Sequence, residues 1–178
     1  MTGRTTDARI AEALGLYAQY AQILEADTAF MALLSDYHQA IACSADRMLE
    51  LGVASQCQNC ARHGPGSCCS RGIEDWYDPM LLFVNLLLGC DLREVRPLPG
   101  DCHFVGTNGC TLIARHYFCV QFLCPAFKDQ LGPTVVGRLL AVVGEELQRG
   151  WEVEQYLYRV FNSRRGRNGY PHNQMTQA

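Results

Sequence analysis

Apolar residues recur at three- and four-residue spacing along the first third of the chain. This pattern predicts two amphipathic helices between residue 7 and about residue 54, each with one apolar face. Asp27 and Thr28 are start signals for the second helix, and Gly52 is a stop signal. The apolar positions are Ile10, Ala13, Leu14, Tyr17, Tyr20, Ala21 and Leu24 in the first helix, and Phe30, Leu33, Leu34, Tyr37, Ile41, Met48 and Leu51 in the second.

Two turn-rich intervals follow, with a short helix between them. Residues 55–72 and 91–111 have no helical period and contain many turn residues, which predicts two loops. The intervening helix is predicted from about Asp78 to Leu88, with Asp78 as N-cap and Pro79 at the first helical position. The ten residues 111–120 suit either a short strand or a single helical turn.

Helical spacing returns after Pro133 and continues to a polar tail that begins at Asn162. On this helix, Glu145 and Glu146 precede Arg149 at the spacing of an ordinary surface ion pair. The predicted buried positions are Val135, Val136, Leu139, Leu140, Val143, Leu147, Trp151, Tyr156 and Val160.

Composition and charge narrow the class of protein. The 178 residues carry a net charge of −3 and only 19% charged residues, which argues against disorder and makes nucleic acid an improbable partner. The first residues lack the apolar region of a secretory signal, and the longest apolar run, 80–90, is too short to span a membrane. We therefore expect a cytoplasmic protein with reduced cysteines and no membrane association.

Ten cysteines are many for a chain that is long enough to bury a core without disulfides. Cys43 and Cys90 stand alone in apolar stretches, where we expect small core residues on helices. The other eight form two clusters in the predicted loops, and reduced clustered thiols indicate metal, with a disulfide framework as the alternative. The predicted metal ligands are Cys57, Cys60, Cys68, Cys69, Cys102, Cys110, Cys119 and Cys124.

The spacing within the clusters bears on the kind of metal centre. Cys57 and Cys60 form a Cys-x-x-Cys unit, which lets two sulfurs reach one metal from a tight turn. In an extended backbone, the adjacent Cys68 and Cys69 point to opposite sides and do not readily join one tetrahedral ion. An iron–sulfur cluster relaxes this constraint, because its iron atoms lie at separate corners.

The second cluster, 101–124, resembles the second half of the small bacterial cysteine-cluster proteins of the YkgJ family, and Cys57 to Cys69 is similar to the first half. The family's domain is described as zinc- or iron-chelating. The gap between Cys60 and Cys68 is longer than usual in the family, and His116 and Val120 stand where Pro and Arg are usual. A related motif in flagellin lysine methylases is associated with an iron–sulfur cluster. The resemblance implies a cofactor that is an iron–sulfur cluster, slightly preferred, or zinc.

Other side chains near the thiols have two possible roles. His63, His103 and His116 are either metal ligands or solvated and supporting neighbours of the site. Arg62, Arg71 and Arg115 either offset the charge of the thiolates or lie free in solvent.

The overall prediction is a mainly α fold: a small helical domain with two long cysteine-bearing loops around a metal centre. One domain is expected over 1–178, with a helical pair at 1–54, a cysteine-cluster metal-binding region at 55–128, a C-terminal helix or helices at 129–162 and a flexible tail at 163–178. The expected partner is the metal ion or cluster, and a protein partner is possible. The alternatives are a metal-dependent protein-modifying enzyme, for which only the three histidines, Asp101 and Asp129 offer polar groups, and a non-catalytic adaptor with structural zinc.

Overall fold

Long helices make up most of the chain, as predicted. The structure, a computed structural model, describes residues 5–53, 55–57, 68–93, 100–106 and 109–167, with the backbone only at 164–167. Its elements are α1 (Thr6–Glu25), α2 (Thr28–Glu50), a 3₁₀ helix (Ile73–Trp76), α3 (Pro79–Leu87), β1 (Val105–Gly106), β2 (Gly109–Cys110), α4 (Tyr117–Gln121), α5 (Pro125–Leu131) and α6 (Pro133–Arg167). Among these residues, no helix is both long enough and apolar enough to cross a membrane.

The helices begin where the sequence places their caps. The carboxylate of Asp27 accepts hydrogen bonds from the N–H groups of Ala29 and Phe30 at 3.1 and 3.2 Å, which caps α2. The carboxylate of Asp78 accepts from the N–H of Leu81 at 2.8 Å, and Pro79 opens α3. Both predicted N-caps are confirmed.

The helices pack as two pairs around two clusters of buried side chains. α6 lies along α2, and α1 lies along α3. The first core joins both pairs, with Leu24, Phe30, Phe83 and Leu157 almost without exposed surface. The second core lies where α4 and α5 meet the end of α2 and the first half of α6; it consists of Met48, Val53, Val120, Leu123, Phe127, Leu139 and Val143.

One glycine sets how closely α2 and α6 approach. A Cβ atom added at Gly150 of α6 would lie 3.0 to 3.1 Å from the ring of Tyr37 on α2, closer than such atoms normally come. Tyr37 is only 4% exposed, so its ring has little room to move away. Glycine at position 150 has a lower helical propensity than alanine, but its lack of a Cβ atom allows α2 and α6 to pack closely.

Three boundaries differ from the predicted ones. Residues 55–57 are helical, and the Gln56 N–H donates to the carbonyl of Gly52 at 3.0 Å, so the first loop begins later than predicted. The interval 111–120 leads into a helical turn, α4, which settles its two alternatives. α6 continues to Arg167, past the predicted boundary at residue 162, and includes Gly166.

The pattern on α6 was wrong at five positions, of which two, Val153 and Leu157, are fully buried without having been predicted so. Leu140 and Trp151, predicted as buried, are 37% and 55% exposed. Glu146, predicted on the surface, is fully buried, where its carboxylate accepts a hydrogen bond from Ser44 of α2. The neighbouring pair behaves as predicted, with Arg149 Nε 3.0 Å from the Glu145 carboxylate. Periodicity assumes that a helix buries one face, whereas α6 packs against other elements on more than one side, which explains these errors.

Candidate metal centre

Backbone hydrogen bonds join the two cysteine-bearing segments of the chain. Ser70 and Asp101 form an antiparallel bridge. Beside it, the N–H of Cys102 donates to the carbonyl of Cys69 at 2.8 Å, and the N–H of Arg71 donates to the carbonyl of Gly100 at 3.1 Å. This short ladder brings Cys69 next to Cys102, although α3 separates them in the sequence.

A two-strand hairpin positions Cys110. β1 and β2 pair antiparallel, with Val105 opposite Cys110. The fully buried Phe104 anchors this hairpin, and its carbonyl accepts from both the N–H of Thr111 at 2.9 Å and the Thr111 hydroxyl at 3.1 Å. Cys110 thereby returns toward Cys102.

A buried asparagine on α3 holds the segment that leads to α4. Asn85 is fully buried. Its amide nitrogen donates to the carbonyl of Ala114 at 2.8 Å, and its amide oxygen accepts from the N–H of Ala114 at 2.9 Å. The same oxygen accepts a hydrogen bond from the Cys90 thiol at 3.4 Å. The Asn85 side chain thus satisfies both backbone polar groups of Ala114, as a neighbouring β-strand would do, and holds the segment around Ala114 against α3.

A buried tyrosine then connects this segment to Cys119. The hydroxyl of Tyr77 accepts from the N–H of His116 at 3.1 Å and donates to the sulfur of Cys119 at 3.7 Å. Its ring packs against Phe104 at 5.1 Å between centroids. A hydroxyl that donates to sulfur stabilises a thiolate, so Tyr77 is placed to support Cys119 as a ligand.

Six of the eight predicted ligands lie within hydrogen-bonding or electrostatic range of another member of the set. Cys68 forms thiol hydrogen bonds with Cys57 and Cys69. Cys69 and Cys102 lie within electrostatic range of Cys119. We call this set the thiol group; its members are Cys57, Cys68, Cys69, Cys102, Cys110 and Cys119.

The adjacent pair departs from the expectation for extended backbone. Cys68 and Cys69 lie in a bend, so their thiols meet instead of pointing to opposite sides. Both therefore belong to the thiol group. Within the residues described, however, no three Cys, His, Asp or Glu side chains lie close enough together to hold one metal ion.

Burial within the protein raises the pKa values of three thiols and so disfavours their ionisation. Burial raises the pKa of Cys102 to about 12 and that of Cys110 to about 11, and it also raises the pKa of Cys119. Cys102 is buried outright, whereas Cys110 keeps exposed surface on one side and is desolvated by the protein around its sulfur. With pKa values of about 12 and 11, Cys102 and Cys110 are protonated at neutral pH.

Arg115 supplies positive charge to the thiol group. Its charge lowers the pKa of Cys110 and Cys119, against the larger effect of burial. Its guanidinium donates to the sulfur of Met48 at 3.8 Å, which keeps it between the thiols and α2. This is the charge-offsetting role that the sequence left open. Arg62 lies outside the described residues.

The remaining predicted site residues fall elsewhere. Cys124 precedes α5 and packs against the second core. Cys60 and His63 lie outside the described residues. The ring of His103 packs edge-on against Phe104 at 5.2 Å, and His116 caps α4 by accepting from the N–H of Phe118 at 3.4 Å. That hydrogen bond occupies Nδ1 of His116.

Of the two cysteines predicted as core residues on helices, Cys43 is exposed and Cys90 is half-buried and packs against the first core from outside a helix. Cys43 is exposed on α2, because it lies on the face of that helix turned away from α6 and α1. Cys90 follows α3 instead of lying on it and is half-buried, where its sulfur accepts from the N–H of Ile113 at 3.4 Å. Both are outside the thiol group.

Beside the thiol group lies a cleft of about 470 Å³ between α2, the start of α3, α4 and α6. Arg115 and His116 border it, and Trp76, Trp151 and Glu154 line it as well. The sequence analysis missed this cleft, since its walls come from four elements that are distant in the chain. The one available signal was the aromatic residues beside the cysteines.

Comparison of the chain with protein-family models, curated proteins and solved structures finds no match.

Proposed function

We propose that the protein binds metal through the thiol group, as an iron–sulfur cluster in preference to zinc. The observation that carries this proposal is the backbone ladder between Cys69 and Cys102, which gathers thiols from two distant segments. Thiolates are the ligands of iron–sulfur clusters and of structural zinc. The resemblance of residues 57–124 to the YkgJ family supports the same function.

The donor set suits such a group. Tyr77 donates a hydrogen bond to the sulfur of Cys119, and Arg115 places positive charge beside Cys110 and Cys119. Both features favour thiolates over thiols at these positions. When bound, the metal supplies the positive charge that offsets the desolvation of the sulfurs, and its binding releases their protons.

The distribution of the thiols favours a cluster over a single ion. Cys68 forms a thiol hydrogen bond with Cys57, while Cys69 lies within electrostatic range of Cys110 and Cys119. Six sulfurs arranged as a series exceed the four positions of one tetrahedral zinc ion. An iron–sulfur cluster takes ligands at separate iron corners, and two zinc ions are the remaining way to use the series.

The test is anaerobic purification followed by elemental analysis and a visible spectrum. We expect a brown protein that contains iron and acid-labile sulfide and shows a sulfur-to-iron charge-transfer band. A colourless protein with stoichiometric zinc would support metal binding and overturn the preference for iron. Cysteines that resist alkylation until a disulfide reductant is added, in a protein without metal, would overturn both.

Matched serine variants locate the metal. Cys69→Ser and Cys119→Ser are expected to lower the bound metal several-fold, since each removes a sulfur from the middle of the thiol group. Cys43→Ser makes the same chemical change on the exposed face of α2 and is expected to leave the metal content unchanged. Equal metal content in all three variants would contradict this site.

A further inference from the structure

Aromatic rings and carboxylates share the cleft beside the thiol group. Trp76, Tyr117 and Trp151 line it and are 42%, 58% and 55% exposed, which is unusual for such large side chains. Trp76 packs against Phe118 at 4.7 Å and against His116 at 5.6 Å, so its position is fixed. Exposed rings held in place around a cavity offer their faces to a ligand.

Two carboxylates lie in the same cleft without a basic partner there. Glu154 of α6 and Asp78 at the start of α3 both line it. Within the described part of the chain, Glu154 forms no hydrogen bond and no salt bridge. Burial, and after it the charge of Asp78, raise the pKa of Glu154. The Asp78 carboxylate also caps α3 through the Leu81 N–H, so Glu154 is the carboxylate of the pair that has no hydrogen-bond partner in the described part of the chain.

The positive groups near the cleft are committed or neutral. Arg115 donates to Met48, and its charge acts on Glu146, Cys110 and Cys119. Burial lowers the pKa of His116, which favours its neutral form at pH 7. The two hydroxyls near Glu154, those of Tyr37 and Tyr158, have raised pKa values and stay neutral. With the guanidinium of Arg115 set against the carboxylates of Asp78 and Glu154, the residues that line the cleft carry a formal charge of −1 when His116 is neutral.

From this combination we infer that the cleft binds a small organic cation of the alkylammonium type. A cation over the face of a tryptophan or tyrosine gains from the ring quadrupole, most strongly where water is excluded. The same cation would be attracted by the carboxylates of Asp78 and Glu154, and its single charge would offset the formal charge of the cleft. A cavity of about 470 Å³ has room for such a ligand. This inference is independent of whether the thiol group holds metal.

The test compares choline with 3,3-dimethyl-1-butanol, which has the same shape and no charge. The chain has two tryptophans and both line the cleft, so intrinsic fluorescence reports binding there. We expect a saturable change with choline and affinity for the neutral alcohol at least about tenfold weaker. Equal affinity for the two compounds, or no saturable change with choline, would overturn the inference without any variant.

Two charge-matched variants assign the site. Glu154→Gln is expected to weaken choline binding about three- to tenfold, because it removes one of the two carboxylates. Glu152→Gln makes the same change on the same helix, at a side chain that pairs with Arg149 at 3.1 Å, and should leave the affinity unchanged. Trp151→Leu should weaken binding, and Trp151→Phe should restore part of it. Equal effects of the two glutamate variants would place choline elsewhere.

Discussion

The helical frame, made of α1, α2, α3 and α6, and the cysteine-bearing segments, residues 68–72 and 100–119, are stabilised by different means. The frame buries large apolar side chains along whole helices, and each of its parts has many neighbours. The cysteine-bearing segments depend on a few hydrogen bonds to single buried groups, among them Asn85 and Tyr77. Many weak contacts tolerate the loss of one, whereas a few specific ones do not. Single substitutions can therefore be chosen to affect the stability of one region without the other.

Asn85→Leu has the largest expected effect, because it disconnects the two regions. It removes both hydrogen bonds to Ala114 and leaves a buried N–H and a buried carbonyl without partners. We expect a loss of about 2 to 6 kcal/mol in the free energy of unfolding, measured with urea. The thiols of Cys110 and Cys119 should also be alkylated faster. Asn162→Leu, at an exposed asparagine of α6, is the control; an equal loss there would contradict the assigned role.

Gly150→Ala tests the frame alone. The new methyl group meets the fixed ring of Tyr37, and we expect a loss of about 1 to 3 kcal/mol, with no change in thiol alkylation. Gly144→Ala on the same helix meets nothing within 4 Å and should gain about 0.5 to 1 kcal/mol from helical propensity. If both variants gain stability, the contact with Tyr37 does not limit how closely α2 and α6 pack.

Glu146→Gln has the smallest expected effect and concerns pH. Burial raises the pKa of Glu146, while Ser44 and Arg115 lower it by less. A carboxyl group with a raised pKa in the folded state contributes stability below its ordinary pKa, and this contribution is lost as the pH rises through the folded-state value. The wild-type protein should therefore lose stability relative to Glu146→Gln as the pH rises above the ordinary glutamate pKa of 4.5. Parallel curves of melting temperature against pH would contradict this.

The frame could be predicted from the sequence more fully than the site. Periodicity and the caps at Asp27 and Asp78 are local features, and they gave α1, α2, α3 and the start of α6. The burial of Glu146 and the exposure of Trp151 depend on which elements pack on α6, and periodicity carries no information on this.

The sequence proposes which cysteines belong to the candidate site, but it does not show how the chain is folded around them. Cysteine spacing identified the residues of the thiol group, since clustering is visible in the sequence. The pairing of Ser70 with Asp101 and the contacts of Asn85 and Tyr77 join residues far apart in the chain, and no short-range pattern specifies such pairs. The cleft could not be predicted from the sequence for the same reason, because its walls come from four elements that are distant in the chain.

The bridge between Ser70 and Asp101 also orders events during folding. It closes a loop that contains all of α3, and closing a loop of about thirty residues costs on the order of 3 to 4 kcal/mol of chain entropy. The burial of α3 against α1 offsets that cost, so the helix must dock before the bridge can persist. The newly made chain consequently carries Cys69 and Cys102 as separate thiols, and the metal binding that we propose would arise late, when most of the helical protein is already in place.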